Sequence, residues 1–372
     1  MPTRGFRAIV RTAAVGLAAT HAAAGPLAAG PAAAAPAGDG VVQVLTAVGS
    51  DTTQDVVGAV LAGYAADRAA NPDGDIPVNV PVRPAAPVDA PADATCARRG
   101  WVAAGQERPP ATYAAPAGSG AGKAALVDPA NRATACVDIA RSSSGRAAGD
   151  PAELVYFGFA RDAVSWARYP GAAPATLTLD QLRGIYSCAV TDWSAVGGAA
   201  GPIVRYLPPA ASGTRAFFVG TLLGAEPSTA CGPLREVPEN DGAAVPAADR
   251  AAAILPYSAA GWVAQANGVA ADRRGGAAIG ALAGRQPVSG PDADGRYRPD
   301  DAVINGGFPG TRTVHHILDT RLPGHAEAVR AVGFDAAGPG YLCAGGAGVL
   351  ATLRTYGFTP LPAVDGRTCT RS

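Results

Sequence analysis

Charge of either sign is scarce in this chain: 16% of its 372 residues are Asp, Glu, Lys or Arg, and 30 basic residues are balanced by 30 acidic ones. No Lys/Arg-rich run occurs, so nothing offers the polybasic surface that nucleic-acid backbones or anionic membranes require. Histidine is rarer still, at four, and no cluster of His, Cys, Asp and Glu has metal-ligand spacing, so neither a metal nor another cofactor is expected. Beyond the first 37 residues no segment is long and apolar enough to span a bilayer. No cysteine precedes Cys96, which removes the lipid-bearing cysteine of a bacterial lipoprotein, and no pair is spaced C-x-x-C, which argues against a redox site.

What is present is a large apolar fraction, 48%, enough to bury a sizeable core and, at this length, two lobes. Arg4, Arg7 and Arg11 precede or punctuate an Ala-rich apolar run, so residues 1–37 read as a secretory signal peptide followed by a disordered lead. The expected location is secreted or extracytoplasmic. In such a compartment an even set of six cysteines reads as disulfides, although six allow 15 connectivities. Pairing sequence neighbours, Cys96 with Cys136, Cys188 with Cys231 and Cys343 with Cys369, keeps each bridge inside one lobe.

Four strand ends carry hydroxyl groups. An apolar run ending at Leu207 is stopped by Pro208-Pro209, and Ser212-Gly213-Thr214-Arg215 then opens a helix. Val41 to Val48 reads as a strand running into Gly49-Ser50-Asp51-Thr52, with a helical spacing from Val56 to Tyr64 behind it. Gly118-Ser119-Gly120-Ala121-Gly122-Lys123 opens a third helix; it is no nucleotide P-loop, because Ala117 and Ala124 stand where that motif needs Gly and Ser or Thr. Cys136 to Ala140 delivers Arg141-Ser142-Ser143-Ser144. Further strands are expected at 154–160, 163–167 and 313–318, and helices at 178–186, 259–266, 325–332 and 345–355; residues 284–312 read as loop. His315 and His316, adjacent on a strand, point to opposite faces and cannot share a metal. Alternating strands and helices give an α/β fold, in which ligands sit beyond the carboxyl ends of strands, where all four clusters fall.

Taken in order, these stretches resemble the phosphate-binding proteins of bacterial ABC importers, of the type II periplasmic-binding-protein family. The matching elements are Gly49-Ser50-Asp51-Thr52, Gly118-Ser119-Gly120, Asp138-Ile139-Ala140-Arg141-Ser142 and Ser212-Gly213-Thr214, with Asn240-Asp241-Gly242 and Phe308-Pro309-Gly310-Thr311 as later counterparts. The resemblance implies two lobes, 38–165 plus 310–372 and 166–309, joined by two chain crossovers and closing on inorganic phosphate or a similar oxyanion in an interlobe cleft. Thr52, Ser119 and Ser142 would face the anion from the first lobe; Ser212, Gly213 and Thr214 from the second. Ser50, Asp51, Gly120, Arg141, Ser143 and Arg215 complete the candidate set, with an ABC permease as partner and a monomer as the state. The pattern is broken twice: Ser143 stands where the family has an Asp that accepts the ligand's proton, and Pro208 where it has an Arg. Arg141, Arg205 or Arg215 would then supply the cation and Asp51 the acceptor.

Two other functions fit parts of the chain. A secreted hydrolase or phosphatase could use Ser119 or Ser212 as nucleophile, but there is no G-x-S-x-G elbow and no S-x-x-K at these serines, so no catalytic residue is assigned. An extracellular structural protein could keep the fold without its ligand.

Overall fold

One strand, Leu154–Arg168, organises the architecture. The structure is a computed structural model that describes residues 41–43, 45–69, 78–79, 101–103, 116–134 and 137–372. The expected leader and both members of the Cys96–Cys136 pair lie outside them. Along the long strand all side chains but Arg161 and Arg168 are buried, as expected for a strand covered on both faces. The sequence pattern predicts two strands here, because Arg161-Asp162 looks like an interruption. Instead Asp162 is fully buried and paired with Arg312, so the ladder runs through it.

Eleven strands form the main sheet. Along its path the order is Val78–Asn79, Thr46–Gly49, Ile139–Ser142, Thr311–Asp319, Leu154–Arg168, Ala253–Ser258, Val204–Leu207 and Arg235–Glu236, while Ala278–Ile279, Thr359–Pro360 and Thr370–Arg371 also pair with the long strand. The wing containing Thr46–Gly49 is parallel within itself, and so is the wing containing Val204–Leu207. Antiparallel ladders through Thr311–Asp319 and Leu154–Arg168 join the two. The expected strand over 41–48 is divided: Val41–Gln43 pairs with Trp101–Ala103 in a separate ribbon, and Thr46–Gly49 belongs to the main sheet.

The core is divided in the same way. One apolar cluster is built from residues between Ala163 and Phe308, including Trp166, Trp193, Phe218 and Tyr257. The other side draws on both ends of the chain, in a larger cluster with Val57, Phe159, Val314, Val332 and Phe358 and a smaller one with Val48, Leu126, Tyr156 and Ile317. The boundary falls near Asp162 on the long strand and near Arg312 on the strand beside it.

Several helices follow their sequence signals. Thr178 caps Leu179–Tyr186 with the expected reciprocal bonds to Gln181. Ala259–Ala266, His325–Val332 and Ala347–Thr355 are helical. Residues 284–312, read as loop, also hold the helix Asp301–Asn305 and the ribbon of Val288–Ser289 with Arg298–Pro299. Disulfides join Cys188 to Cys231 and Cys343 to Cys369. No helix among the described residues is long and apolar enough to cross a membrane.

Candidate anion-binding cleft

The parallel wings aim the carboxyl ends of Thr46–Gly49, Ile139–Ser142 and Val204–Leu207 at the boundary between the two cores, and a turn bearing hydroxyls follows each strand. Close approach of these turns depends on missing side chains. Gly49, at φ +114°, and Gly122 meet backbone to backbone: a Cβ on Gly122 would lie 2.5 Å from Gly49 Cα, and one on Gly49 would lie 2.6 Å from the Arg141 carbonyl. A Cβ on Gly213 would lie 2.4 Å from both Ser119 Oγ and Ser143 Oγ. Glycine therefore lets the turn after Val204–Leu207 seat on the serines of the other wing.

Two groups of side chains result. In the first, Ser50 Oγ donates to Ser143 Oγ at 3.2 Å, Ser119 Oγ lies 3.2 Å from Ser143 Oγ, and the Ser143 amide donates to Ser119 Oγ at 2.9 Å. The second contains Thr52, Ser212, Thr214, Glu239 and Arg312, all buried. Thr214 Oγ1 donates to Glu239 Oε1 at 2.8 Å, and Thr52 Oγ1 and Ser212 Oγ donate to the same carboxylate. Arg312 Nη2 bonds Thr214 Oγ1 at 2.9 Å and Thr52 Oγ1 at 3.3 Å. Asn240 Nδ2 reaches Thr52 Oγ1 at 3.2 Å, while its Oδ1 accepts from the Ser258 amide at 3.0 Å.

Arg312 has its own counter-ion. Its Nε and Nη2 donate to Asp162 Oδ2 at 3.0 and 2.8 Å, and Asp162 Oδ1 accepts from Ser258 Oγ and the Ala260 amide at 2.9 and 3.1 Å. The Arg312 side chain is 2% exposed, and its Nη1 is buried with no partner among the described residues. An unpaired donor on a buried cation is costly. A small cavity of about 90 Å³ is bordered by Asp51, Gly118, Pro209, Ser212 and Glu239.

The expected residues divide accordingly. Thr52, Ser212 and Thr214 meet round one carboxylate; Ser50, Ser119, Ser143 and Gly213 meet beside them; Asp51 borders the cavity and accepts from Asn240 Nδ2 at 3.4 Å. Others face elsewhere. Arg141 is fully buried and donates to the carbonyls of Ala47, Ser50 and Gly49 at 2.9, 3.3 and 3.3 Å, which ties strand to turn. Arg205 donates to the carbonyls of Tyr186, Ser228 and Gly232, and Arg215 to that of Pro208. Ser142 Oγ donates to the Ser144 carbonyl at 2.7 Å, and the Gly120 amide to that of Ala211 at 3.2 Å. Sequence reasoning missed Glu239, Asp162 and Arg312, although Glu239 precedes the Asn240-Asp241-Gly242 turn and Arg312 follows the Phe308 to Thr311 stretch.

Among the described residues no group of three or more His, Cys, Asp or Glu side chains could hold a metal ion. His315 and His316 take no part in either group of side chains. Burial lowers their pKa values to about 4 and about 3, and His316 stacks on Phe159.

A family model described as a PBP superfamily domain matches residues 94–333, well over half the chain. No curated protein matches. Among solved structures, the chain is similar to an ABC-type phosphate transport receptor from Vibrio cholerae, at TM-score 0.51 and 16% identity, covering 86% of this chain and all of that one. A putative phosphate ABC transporter substrate-binding protein with bound phosphate from Clostridium perfringens aligns at TM-score 0.49 and 16% identity, over 77% of this chain and 90% of that one. The mixed sheet with two parallel wings and the span of the family match together place the chain in the PBP superfamily, the periplasmic-binding-protein fold, as a divergent member.

Proposed function

We propose that the chain is an exported solute-binding protein that takes phosphate or a similar tetrahedral oxyanion in the cleft between its two cores and delivers it to an ABC-type permease. The observation that carries this reading is Arg312: a buried guanidinium with one nitrogen unpartnered among the described residues, surrounded by hydroxyls from both wings of the sheet. Charge-assisted hydrogen bonds from such a group can replace the water an oxyanion gives up. The Vibrio cholerae protein of similar structure is an ABC-type phosphate transport receptor, which supports the same ligand class.

In this reading the lobes are residues 38–165 plus 310–372 and residues 166–309, the ligand set is Ser50, Thr52, Ser119, Ser143, Ser212, Gly213, Thr214 and Arg312, and the protein works as a monomer without turnover. Titration calorimetry with phosphate, sulfate and molybdate tests it: saturable binding of at least one is expected, and no heat and no thermal shift with any of them removes the reading. A second reading, a protein that keeps the fold but binds no anion, is favoured by Glu239, whose carboxylate already holds three of the hydroxyls. The same titration separates the two.

A further inference from the structure

Thr52, Ser212 and Thr214 each own a single O–H proton, and all three hydroxyl oxygens lie within hydrogen-bond reach of Glu239, whose ionised carboxylate can only accept. The bonds from Arg312 and Asn240 arrive at the threonine oxygens as acceptors, and the two threonine hydroxyls lie 3.3 Å from each other. None of these hydroxyls can donate to a ligand while it donates to Glu239. Glu239 is 5% exposed and is reached from two separate segments of the chain, one carrying Thr52 and the other Ser212 and Thr214, while Arg312 bonds both threonines.

We infer that the Glu239 carboxylate is an intramolecular ligand of the anion cradle, one that an arriving oxyanion must displace. This rests on the oxyanion reading above. Glu239 thereby sets the working range of the site. When the carboxylate is seated, the cradle is filled and closed by the protein's own anion; when it swings out, the hydroxyls and Arg312 become available together. The apparent affinity is the intrinsic affinity reduced by the fraction of molecules in which the cradle is vacant, so a carboxylate seated about 90 to 99% of the time weakens binding by about ten- to a hundredfold. Such a protein answers to high anion concentrations and ignores low ones.

Calorimetry with inorganic phosphate on the full-length chain, Glu239→Ala and the isosteric Glu239→Gln tests this. Glu239→Ala is expected to bind phosphate at least tenfold tighter than the unmodified chain, and Glu239→Gln to gain affinity in the same direction, since neither presents the carboxylate that holds the three hydroxyls. Without phosphate both should melt below the unmodified chain, because the three hydroxyls lose their carboxylate acceptor. Binding by the unmodified chain with equal or weaker affinity in both variants overturns the inference and leaves the oxyanion reading standing. Binding by the variants alone supports both. Absence of binding to folded unmodified and variant proteins overturns both.

Discussion

Two arginines are buried where the wings of the sheet meet, and they are used in opposite ways. Arg141 spends its guanidinium on the carbonyls of Ala47, Gly49 and Ser50, so its charge serves to fix a strand and the turn after it. Arg312 pairs with the carboxylate of Asp162, touches two threonine hydroxyls, and keeps a nitrogen unpartnered among the described residues. The lesson is that burial of a cation does not say what it is for; its acceptors do. Carbonyls within the chain consume a guanidinium permanently, whereas hydroxyls can turn toward a ligand.

The comparison breaks most readily at the arginines themselves. Arg312→Met should lower phosphate affinity at least a hundredfold, about 2.7 kcal/mol, and destabilise the fold because Asp162 is left a buried, unpaired charge. Arg141→Met should cost about 3 kcal/mol of unfolding free energy, from three carbonyls losing their donor, yet leave affinity within a few-fold. Calorimetry and denaturant melts on both proteins decide; loss of affinity without loss of stability in Arg141→Met would erase the distinction.

Effects of comparable size, but on stability alone, are expected at the disulfides, which resemble Arg141 in being scaffold. Cys188–Cys231 and Cys343–Cys369 span 43 and 26 positions, and loop-closure entropy gives about 4 and 3.5 kcal/mol respectively. Paired Cys→Ser replacements should lower stability by those amounts with phosphate affinity intact, and a non-reducing peptide map should show both bridges. A smaller effect is expected at Gly213, on the cleft side. A methyl group there meets Ser119 Oγ and Ser143 Oγ at 2.4 Å, so Gly213→Ala should weaken phosphate binding about tenfold while costing about 1–3 kcal/mol of stability. Unchanged affinity would move Ser119 and Ser143 out of the cleft.

The sequence displayed one side of this comparison far better than the other. Hydroxyls at strand ends are local signals: Ser212-Gly213-Thr214 can be read as a cap from its own neighbours, and the structure gives the same Ser212 hydroxyl both the Arg215 amide and Glu239. The cation was illegible because its meaning is not local. Asp162 and Arg312 are 150 positions apart and become partners only when Thr311–Asp319 pairs with the long strand, at the register Arg312 opposite Asp162. Arg141, on the other hand, looks like a ligand because it stands beside Ser142 and Ser143; only the parallel pairing that sets Gly49 against Arg141 shows where the guanidinium's acceptors lie. Glu239 has no sequence mark at all beyond its place before Asn240.

The smallest expected effect lies in acid, on the Arg141 side. His316 is opposite Arg141 across the strand pair; burial and that guanidinium hold its pKa near 3, and both ring nitrogens are buried with no partner among the described residues. His315, less deeply placed, is lowered to about 4 by burial. Both are therefore neutral when folded but take up protons when unfolded at the ordinary value near 6.5. The stability they contribute is fully present above about pH 6.5 and is lost as pH falls toward 4 and then 3, at up to about 1.4 kcal/mol per pH unit for each ring. Carboxylates titrate in the lower part of that window, so the informative quantity is a difference. Urea melts of the unmodified chain and His316→Phe at about pH 7 and pH 5 should show a smaller acid loss in the variant, by about 1–2 kcal/mol. Phenylalanine also removes two unpartnered nitrogens while keeping the stack on Phe159, so the variant should be no less stable at neutral pH. An identical acid loss in both would mean that His316 is protonated in the folded protein, and that the ground behind Arg141 is wetter than its packing implies.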